Sequence, residues 1–401
     1  MREVEGGIAA PRGVLAAGVS CGIKKAGLLD LALVVSERPA AVAGVFTRNL
    51  VKAAPVLLCQ ERIAAGKFSA LVANSGNANA CTGARGMRDA RHTAQIAARL
   101  LGRMEEQIFV ASTGVIGEPL PMEKISRGIV LAVPALGPDR GQEAARAVMT
   151  TDTCPKEAAV SLMMGGKEVR IGGMAKGSGM ICPHMGTMLA FVASDADISP
   201  SLLARSLKRA TAQSFNRITV DGDTSTNDMV LAFANGLSGS LRIRAGSPEY
   251  LAFQQGLDQV TASLAQMIVG DGEGATKLIR VEVKGARTER EAEIVAFAVA
   301  NSNLVKTAFF GEDGNWGRVI SAIGSSGAKV RPERIDLFLG PVQIVKKGMG
   351  LGNDRKAPTK EILKGREIDL VIHLHQGRSQ VQVLTCDLSY DYVKINASYR
   401  S

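Results

Sequence analysis

The sequence is poor in aromatic and imidazole side chains. Phe, Trp and Tyr make up only 4% of the 401 residues, with a single Trp, and there are only four His. Proteins that bind single-stranded nucleic acids stack bases on aromatic side chains beside a basic stripe. Here Lys and Arg are dispersed and rarely flanked by aromatics, so the net charge of +10 does not indicate nucleic-acid binding. That charge suits solubility and the attraction of anionic small molecules.

The patterns of metal centres and disulfide frameworks are also missing. The six Cys lie far apart with no Cys-x-x-Cys pair, which is typical of reduced, mostly buried thiols in a cytosolic protein. His373 and His375 alternate along Leu370–His375, so they are expected to share one face of a strand. A zinc site needs further ligands, and none is apparent. We therefore expect no metal and interpret this pair as a solvated strand face.

Long apolar runs are absent as well. The first residues, Met1–Glu5, are charged and carry no apolar signal segment. No apolar run approaches the length of a membrane span. We expect a cytoplasmic protein without a membrane partner.

The sequence does contain alternating strand and helix signals, which predict a layered α/β fold. Its length exceeds the size at which a single core keeps growing, so at least two subdomains are expected. A sandwich with sheets inside and helices outside fits this mixture of predicted strands and helices. Four predicted elements are tested below: a helix over Leu202–Ser214 begun by Ser199, a helix from Thr288 to about Lys306, a surface loop over Gly350–Ala357, and a strand over Tyr392–Asn396.

The most informative segment is a glycine-rich loop that leads into an apolar strand. The loop begins at Lys176, and Thr187 stands at the start of the expected strand, directly after Gly186. A Thr hydroxyl at such a junction can attack the preceding carbonyl, which Gly186 leaves uncrowded. After cleavage, the new α-amine of Thr187 can serve as the base for the adjacent hydroxyl. For an isolated Thr, an ordinary strand residue whose hydroxyl bonds a backbone carbonyl is the favoured explanation. The nearby Cys182 with His184 does not by itself establish a nucleophile–base pair.

The wider sequence resembles the ornithine acetyltransferases (glutamate N-acetyltransferases, the ArgJ family) over nearly its whole length. The family usually has Ala before the nucleophilic Thr, whereas this chain has Gly186; cleavage is expected to survive, at an altered rate. The matching segments are Phe46–Asn49 with Ala53–Val56, Asn74–Ala80, Ser112–Gly117, Met149–Thr153, Lys176–Leu189, Asp221–Asp228, Asn315–Arg318 and Tyr392–Ala397.

The resemblance implies an αββα sandwich core with a smaller C-terminal α/β domain, cleaved by the protein itself into two chains. Residues 1–186 would form the α chain and 187–401 the β chain, with the core completed over about 187–280 and a C-terminal domain over about 281–401. The expected assembly is a heterotetramer of two α and two β chains.

The resemblance also implies a site. Thr187 would be the nucleophile and, once freed, the base, with cleavage at Gly186-Thr187. Thr113 and Gly114 would form the oxyanion hole, although an ST-turn explains these two equally well from the residues alone. The substrate pocket would be lined by Thr153 (with Thr151 as the alternative), Lys176, Thr187, Glu273, Asn396 and Ser401.

Lys176 would bind a carboxylate and Glu273 an ammonium group. From the residues alone, both are equally well explained as charged, solvent-exposed loop residues. The implied activity is acetyl transfer from N2-acetylornithine to glutamate, which releases ornithine and N-acetylglutamate through an acetyl-enzyme. No cofactor is expected, and acetyl-CoA is a possible co-substrate. The alternative is an autoprocessed aminopeptidase or amidase that passes its acyl group to water.

Overall fold

The structure is a computed structural model that describes residues 1–182, 188–352 and 356–398. The chain divides into two compact units. The first comprises 1–216 and 223–268, and the second comprises 217–222 and Val269 onward. The second unit thus begins before the expected boundary near 281 and includes a short segment from earlier in the chain. Among the described residues, no helix combines the length and apolarity needed to cross a membrane.

One mixed sheet runs through the first unit, in the order β1-β6-β7-β8-β9-β3-β4-β5, with β2 beside β3. Its strands are β1 (Arg2–Glu3), β2 (Val14–Val19), β3 (Leu31–Phe46), β4 (Lys67–Asn77), β5 (Ile108–Val115), β6 (Lys156–Met164), β7 (Lys167–Lys176), β8 (Leu189–Ser194) and β9 (Met229–Ala234). Its helices are α1 (Ala54–Arg62), α2 (Gly83–Leu101), α3 (Met122–Ala132), α4 (Gly141–Ala147), α5 (Pro200–Gln213) and α6 (Pro248–Gly270).

The long strand β3 lets this sheet fold over itself. Its first half pairs with β2 and β4, and its second half pairs with β9 after a register shift between Val35 and Ala40. The two halves then pack face to face, so that the ring of Phe68 on β4 stacks on that of Phe233 on β9 with centroids 4.0 Å apart. Helices cover both outer faces: α2 and α3 pack against β2 to β5, and Gly256 of α6 lies against β6 and β7. This is the expected αββα sandwich.

The second unit is a smaller α/β domain built on a six-stranded sheet in the order β13-β12-β11-β14-β10-β15. Helix α7 packs on this sheet around a core of Val, Ile and Leu side chains. Its strands are β10 (Leu278–Ala286), β11 (Asp336–Leu339), β12 (Val342–Lys346), β13 (Met349–Gly350), β14 (Glu367–His373) and β15 (Ser379–Cys386). Its helices are α7 (Glu289–Ala300), α8 (Asn303–Phe310), α9 (Trp316–Gly324), α10 (Lys356–Leu363) and α11 (Tyr390–Ser398).

The predicted helix starts are confirmed, whereas one helix end and one loop differ from the prediction. Ser199 caps α5 as expected, accepting a hydrogen bond from the Leu202 N–H, and Thr288 caps α7 in the same way. The helix after Thr288 does not continue to Lys306, however, because it ends at Ala300 and Ser302 caps a new helix. The loop expected over Gly350–Ala357 was placed too broadly, since β13 reaches Gly350 and α10 begins at Lys356.

The strand predicted over Tyr392–Asn396 is wrong, since these residues belong to helix α11. Its β-branched and aromatic residues favoured a strand, but the local polar contacts favour a helix. Asp391 lies in the first turn, where a negative charge is stabilising. The Asn396 side-chain amide donates to the Tyr392 carbonyl oxygen at 3.1 Å, four residues back along the same helix.

The two His lie side by side, with ring centroids 3.6 Å apart, but only His373 belongs to a strand. Strand β14 ends at His373, and His375 follows with a left-handed φ of +50°. The Nε2 atom of His375 lies 2.9 Å from an Asp336 carboxylate oxygen. Across the part of the chain that the structure describes, no group of three His, Cys, Asp or Glu side chains is arranged to hold a metal ion.

Candidate active site

Several strand ends meet at one end of the sandwich in the first unit. In the sheet register, Lys176 at the end of β7 lies opposite Leu189 at the start of β8, and Leu189 lies opposite Met229 at the start of β9. The end of β5 comes to the same place from the other half of the sandwich. There the Asn227 amide donates to the Ala78 carbonyl oxygen at 2.6 Å and to that of Ser112 at 2.8 Å. The residues of four separate segments are thereby fixed around one point.

Lys176 is the cation of this site. Its side chain is buried, and Nζ lies 3.4 Å from the Thr113 hydroxyl oxygen. A buried ammonium group beside a hydroxyl and a strand end is suited to attract a carboxylate or to stabilise negative charge that develops on a reacting oxygen. The structure therefore brings together two of the residues that the sequence assigned to different roles, Thr113 and Lys176.

Gly114 follows Thr113 in a conformation that only glycine adopts easily. Its φ is +130°, and a Cβ atom placed there would lie 2.4 Å from the Gly76 carbonyl carbon and 2.6 Å from the Asn77 nitrogen. The register between β4 and β5 shifts at this point. The backbone of β4 thus packs directly against Gly114, so that no side chain fits at this position.

Asp152 fixes the loop that follows Lys176. Its buried carboxylate accepts hydrogen bonds from the Gly177 N–H and from Lys156 Nζ, each at 2.7 Å. Burial alone would raise the pKa of Asp152, but the positive charges of Lys176 and Lys156 outweigh it and lower the pKa to about 2. The residue is therefore ionised at neutral pH and holds the start of the glycine-rich loop.

Asp228 is a second buried carboxylate in this region. Its Oδ1 accepts a hydrogen bond of 2.8 Å from the N–H of Met188, the residue that follows 187 in the sequence. Its Oδ2 is also buried, and Ser225 lies close enough to the carboxylate to oppose the rise in its pKa. Burial raises the pKa of Asp228 well above its ordinary value, while the Met188 N–H and the charge of Lys176 act in the opposite direction.

The threonines near Asp152 differ in their surroundings. Thr153, the residue assigned to the substrate pocket, is exposed, whereas Thr151 is half-buried. The Thr151 hydroxyl lies 2.7 Å from that of Ser178, in the loop after Lys176. The alternative Thr151 is therefore connected to the start of this loop.

The second unit brings together two of the predicted substrate residues. The Asn396 side-chain amide on α11 donates to a Glu273 carboxylate oxygen at 2.7 Å, and Glu273 is buried. The turn after Glu273 passes under the start of α11. A Cβ atom at Gly274 would lie 2.5 Å from the Tyr392 nitrogen, and the Ser389 hydroxyl donates to the Gly274 carbonyl oxygen at 2.6 Å. The structure thus positions the Glu273 carboxylate firmly.

Three predicted residues, Gly186, Thr187 and Ser401, lie outside the described residues, so the nucleophile and the cleavage site remain expectations. The cysteines are a mixture rather than mostly buried: Cys81 and Cys154 are exposed. Burial raises the pKa of the Cys59 thiol to about 12, which makes it a poor nucleophile at neutral pH.

Sequence reasoning missed the two buried carboxylates, Asp152 and Asp228, as members of the site. Both stand inside segments that carry the family resemblance, Met149–Thr153 and Asp221–Asp228. The sequence offers one signal for each residue: Asp228 directly precedes a buried strand, and Asp152 precedes a segment that contains a lysine. The sequence does not reveal that Lys176 acts on both carboxylates, because they are contributed by separate parts of the chain.

Comparisons with known proteins agree with the resemblance. The ArgJ family profile matches residues 15–401. The chain is 54% identical over 403 residues to the "Arginine biosynthesis bifunctional protein ArgJ" of Symbiobacterium thermophilum, covering 100% of both chains. It is 52% identical over 383 residues to the protein of that name from Geobacter sulfurreducens, covering 96% of this chain and 98% of the other. A crystal structure of arginine biosynthesis bifunctional protein ArgJ from Bacillus halodurans matches with a TM-score of 0.51 and 44% identity, covering 52% of this chain and 98% of that one.

Proposed function

Because the chain belongs to the ArgJ family, we propose that it is a self-cleaving acetyltransferase of arginine biosynthesis that moves an acetyl group from N2-acetylornithine to glutamate. The observation that carries the proposal is the cluster at the end of the sandwich. Thr113, Gly114 and Lys176 meet where the residue after 187 is anchored to Asp228. This cluster supports the proposal because Thr113, Gly114 and Lys176 are groups suited to stabilise an oxyanion.

The proposed reaction begins with maturation. The Thr187 hydroxyl adds to the Gly186 carbonyl carbon, the peptide C–N bond breaks, and water releases the resulting ester. The freed α-amine has an ordinary pKa of about 7.7–8.0, so a substantial fraction is neutral near physiological pH and accepts the hydroxyl proton in the next step.

The transfer then proceeds through an acetyl-enzyme. The Thr187 oxygen bonds to the acetyl carbon of N2-acetylornithine, the amide bond breaks, and ornithine leaves with the proton returned by the α-amine. Glutamate attacks the acetyl ester with its amino group, which regenerates Thr187 and forms N-acetylglutamate. Thr113 and Gly114 stabilise the negative oxygen in both half-reactions.

Lys176 and Glu273 are the proposed charge partners of the substrates. The buried Lys176 ammonium suits an α-carboxylate, and the Glu273 carboxylate, held by Asn396, suits the side-chain ammonium of ornithine. Thr151 or Thr153 and Ser401 complete the proposed pocket. The curated relatives are named bifunctional, which supports acetyl-CoA as a second acetyl donor.

Two further features follow from the family. The matched Bacillus halodurans chain is almost entirely covered by about half of this one, which supports a mature form made of two chains. We propose a cytoplasmic heterotetramer of two α and two β chains, which size-exclusion chromatography with light scattering tests directly.

The function is tested by Thr187→Ala and Thr187→Ser. Denaturing mass analysis of the wild type should give two fragments, and N-terminal sequencing of the second should begin at Thr187. The Ala variant should remain one inactive chain, and the Ser variant should retain part of both activities. The assay follows N-acetylglutamate formation from N2-acetylornithine or acetyl-CoA. An active, uncleaved wild type would overturn the proposal, and acetate as the main product would favour an amidase.

A further inference from the structure

Lys24 is a second lysine close to the cluster of Thr113, Gly114 and Lys176, and the proposed reaction gives it no role. Its side chain is half-buried and packs on the backbone of Gly76, where a Cβ atom would lie 3.0 Å from Lys24 Cγ. Gly76 is opposite Gly114 in the register of β4 and β5. The aliphatic part of Lys24 therefore lies on the strand that packs against the proposed oxyanion hole.

The ammonium group of Lys24 is bound to the same segment that holds the loop after Lys176. Its Nζ donates a hydrogen bond of 2.9 Å to the Met149 carbonyl oxygen. At the other end of this short segment, the Asp152 carboxylate accepts the N–H of Gly177, directly after Lys176, at 2.7 Å. Residues 149–152 thus connect the two lysines, and the positive charge of Lys176 acts on Lys24.

The backbone around Lys24 is held in place by Asp30, directly before β3. The Asp30 carboxylate is buried and accepts the N–H groups of residues 21–24 at distances from 2.6 to 3.0 Å. Burial alone would raise the pKa of Asp30, but these hydrogen bonds outweigh it and lower the pKa, so the carboxylate is ionised at neutral pH. A ligand that binds Lys24 does not have to order this loop, which favours binding.

The ammonium group of Lys24 has donors left for a ligand. Of its three N–H groups, one donates to Met149, and no other described residue accepts a hydrogen bond from Nζ. Burial lowers the pKa of Lys24, and the charge of Lys176 acts in the same direction. The carboxylates of Asp30 and Asp152 oppose this shift. An additional anion would stabilise the charged form of this partly desolvated group, so the position suits a carboxylate ligand.

The proposed substrates differ in the group that such a cation distinguishes. N2-acetylornithine and glutamate both carry an α-carboxylate, for which Lys176 is the proposed partner, but only glutamate carries a carboxylate on its side chain. Lys176 Nζ lies 3.4 Å from the Thr113 hydroxyl oxygen, whereas Lys24 is linked to that point through Gly76 and residues 149–152. The α-carboxylate is the closer of the two carboxylates to the reacting nitrogen, which assigns it to Lys176 and leaves the side-chain carboxylate for Lys24.

We propose that Lys24 binds the side-chain carboxylate of the acceptor and thereby makes the enzyme specific for a dicarboxylic amino acid. This inference rests on the proposed function. The ammonium group donates to the carboxylate the hydrogen bonds that Met149 does not use. Lys24 therefore acts in the second half-reaction, after ornithine has left and the acceptor has entered.

The test is Lys24→Met, which keeps an unbranched side chain on Gly76 and removes the charge. Loss of a hydrogen bond to a charged group should lower kcat/KM for glutamate about 10–100-fold. The value of kcat/KM for N2-acetylornithine, which reports the first half-reaction only, should change little. Glutamine has a neutral side chain and should be used no worse than before, so the preference for glutamate over glutamine should fall by the same factor. A general structural defect would lower all three values together.

The matched control is Lys25→Met, at the neighbouring exposed lysine, which makes the same change in net charge. It should leave the preference for glutamate unchanged, and Lys24→Arg, which retains a cationic donor, should keep most of it. An unchanged preference in Lys24→Met, or an equal loss in Lys25→Met, would overturn the assignment. A wild type that does not transfer acetyl groups to glutamate would instead overturn the proposed function.

A measurement on the wild type covers the case in which Lys24→Met does not fold. Brief treatment with an amine-acylating reagent, followed by peptide mass spectrometry, gives the rate at which each lysine is modified. Saturating N-acetylglutamate should slow the modification of Lys24 and leave that of Lys25 unchanged, whereas N-acetylglutamine should protect neither. Equal modification of Lys24 with and without N-acetylglutamate would contradict the proposal.

Discussion

At the scale of single residues, Asp152 and Lys156 are the clearest buried ion pair of the first unit. Both side chains are fully buried, with the ammonium nitrogen 2.7 Å from the carboxylate oxygen. Removing one partner of such a pair leaves an uncompensated buried charge, which typically costs about 3–5 kcal/mol. Lys156→Met should therefore lower the free energy of unfolding in urea by this order, whereas Lys167→Met, at an exposed lysine, should change it little. Equal effects in both variants would contradict the argument.

The same carboxylate gives a pH dependence of defined sign. The pKa of Asp152 is lowered on folding, to about 2, so its ionised form stabilises the folded state. That contribution is complete above the unfolded value of about 3.9 and is lost as the pH falls through 2. The difference in unfolding free energy between wild type and Asp152→Asn should therefore be constant at neutral pH and disappear between about pH 4 and 2. A difference that grows on acidification would contradict this sign.

Gly114 offers a matched pair of glycine substitutions three residues apart. Gly114→Ala puts a methyl group against the β4 backbone, whereas Gly117→Ala, at φ +85°, meets no atom within 4 Å. Loss of an oxyanion-hole donor typically lowers kcat about 10²–10³-fold. We expect that loss, with little change in KM, for Gly114→Ala, and only modest destabilisation for Gly117→Ala. Full activity of Gly114→Ala would exclude this strand end as the oxyanion hole.

At the scale of elements, local sequence signals predicted the helix caps correctly. They did not predict features that depend on contacts with distant parts of the chain. Ser199 and Thr288 were identified as helix starts because a capping side chain acts on its own next turn. The break after Ala300 was missed, since it depends on partners far along the chain: the Thr385 hydroxyl donates to the Ala300 carbonyl oxygen at 3.1 Å. The helix at Tyr392 was predicted as a strand from its β-branched and aromatic residues, whereas local polar contacts and the close approach of the Gly274 turn favour the helix.

The functional site shows the same limit of prediction from sequence. Thr113, Gly114 and Lys176 were found through the family resemblance, but neither spacing nor periodicity predicts that Lys176 lies beside Thr113, which is 63 residues earlier in the chain. The position of Asp228 before a buried strand is a weak local signal, and only the folded sheet places its carboxylate beside Met188.

The last helix gives a prediction for the C-terminus. Helix α11 ends at Ser398 and already holds Asn396 against Glu273, so deletion of Tyr399–Ser401 leaves that contact in place. We expect the truncated protein to self-cleave normally but to transfer acetyl groups less efficiently and to release more acetate, because Ser401 is a proposed pocket residue and water gains access. Asn396→Ala is the companion variant that keeps the tail. Unchanged KM, kcat and product ratio after truncation would show that the terminus has no role.

At the scale of the whole molecule, the proposed cleavage divides a single sheet between two chains. Strand β8, from the second fragment, pairs along its length with β7 of the first, and β9 pairs with β3. These ladders lie in the middle of the sandwich, so the fragments should co-elute under native conditions and separate only in denaturant. Separation of folded fragments in native buffer would contradict this arrangement.

The central claim is that Thr187 carries the acetyl group between the two substrates. The most direct measurement is the intact mass of the protein after brief incubation with N2-acetylornithine alone and an acid quench. We expect the fragment beginning at Thr187 to gain the mass of one acetyl group and the fragment ending at Gly186 to gain none, and we expect added glutamate to remove the label. An unlabelled Thr187 fragment under conditions of active turnover, or a label on any other residue, would contradict it.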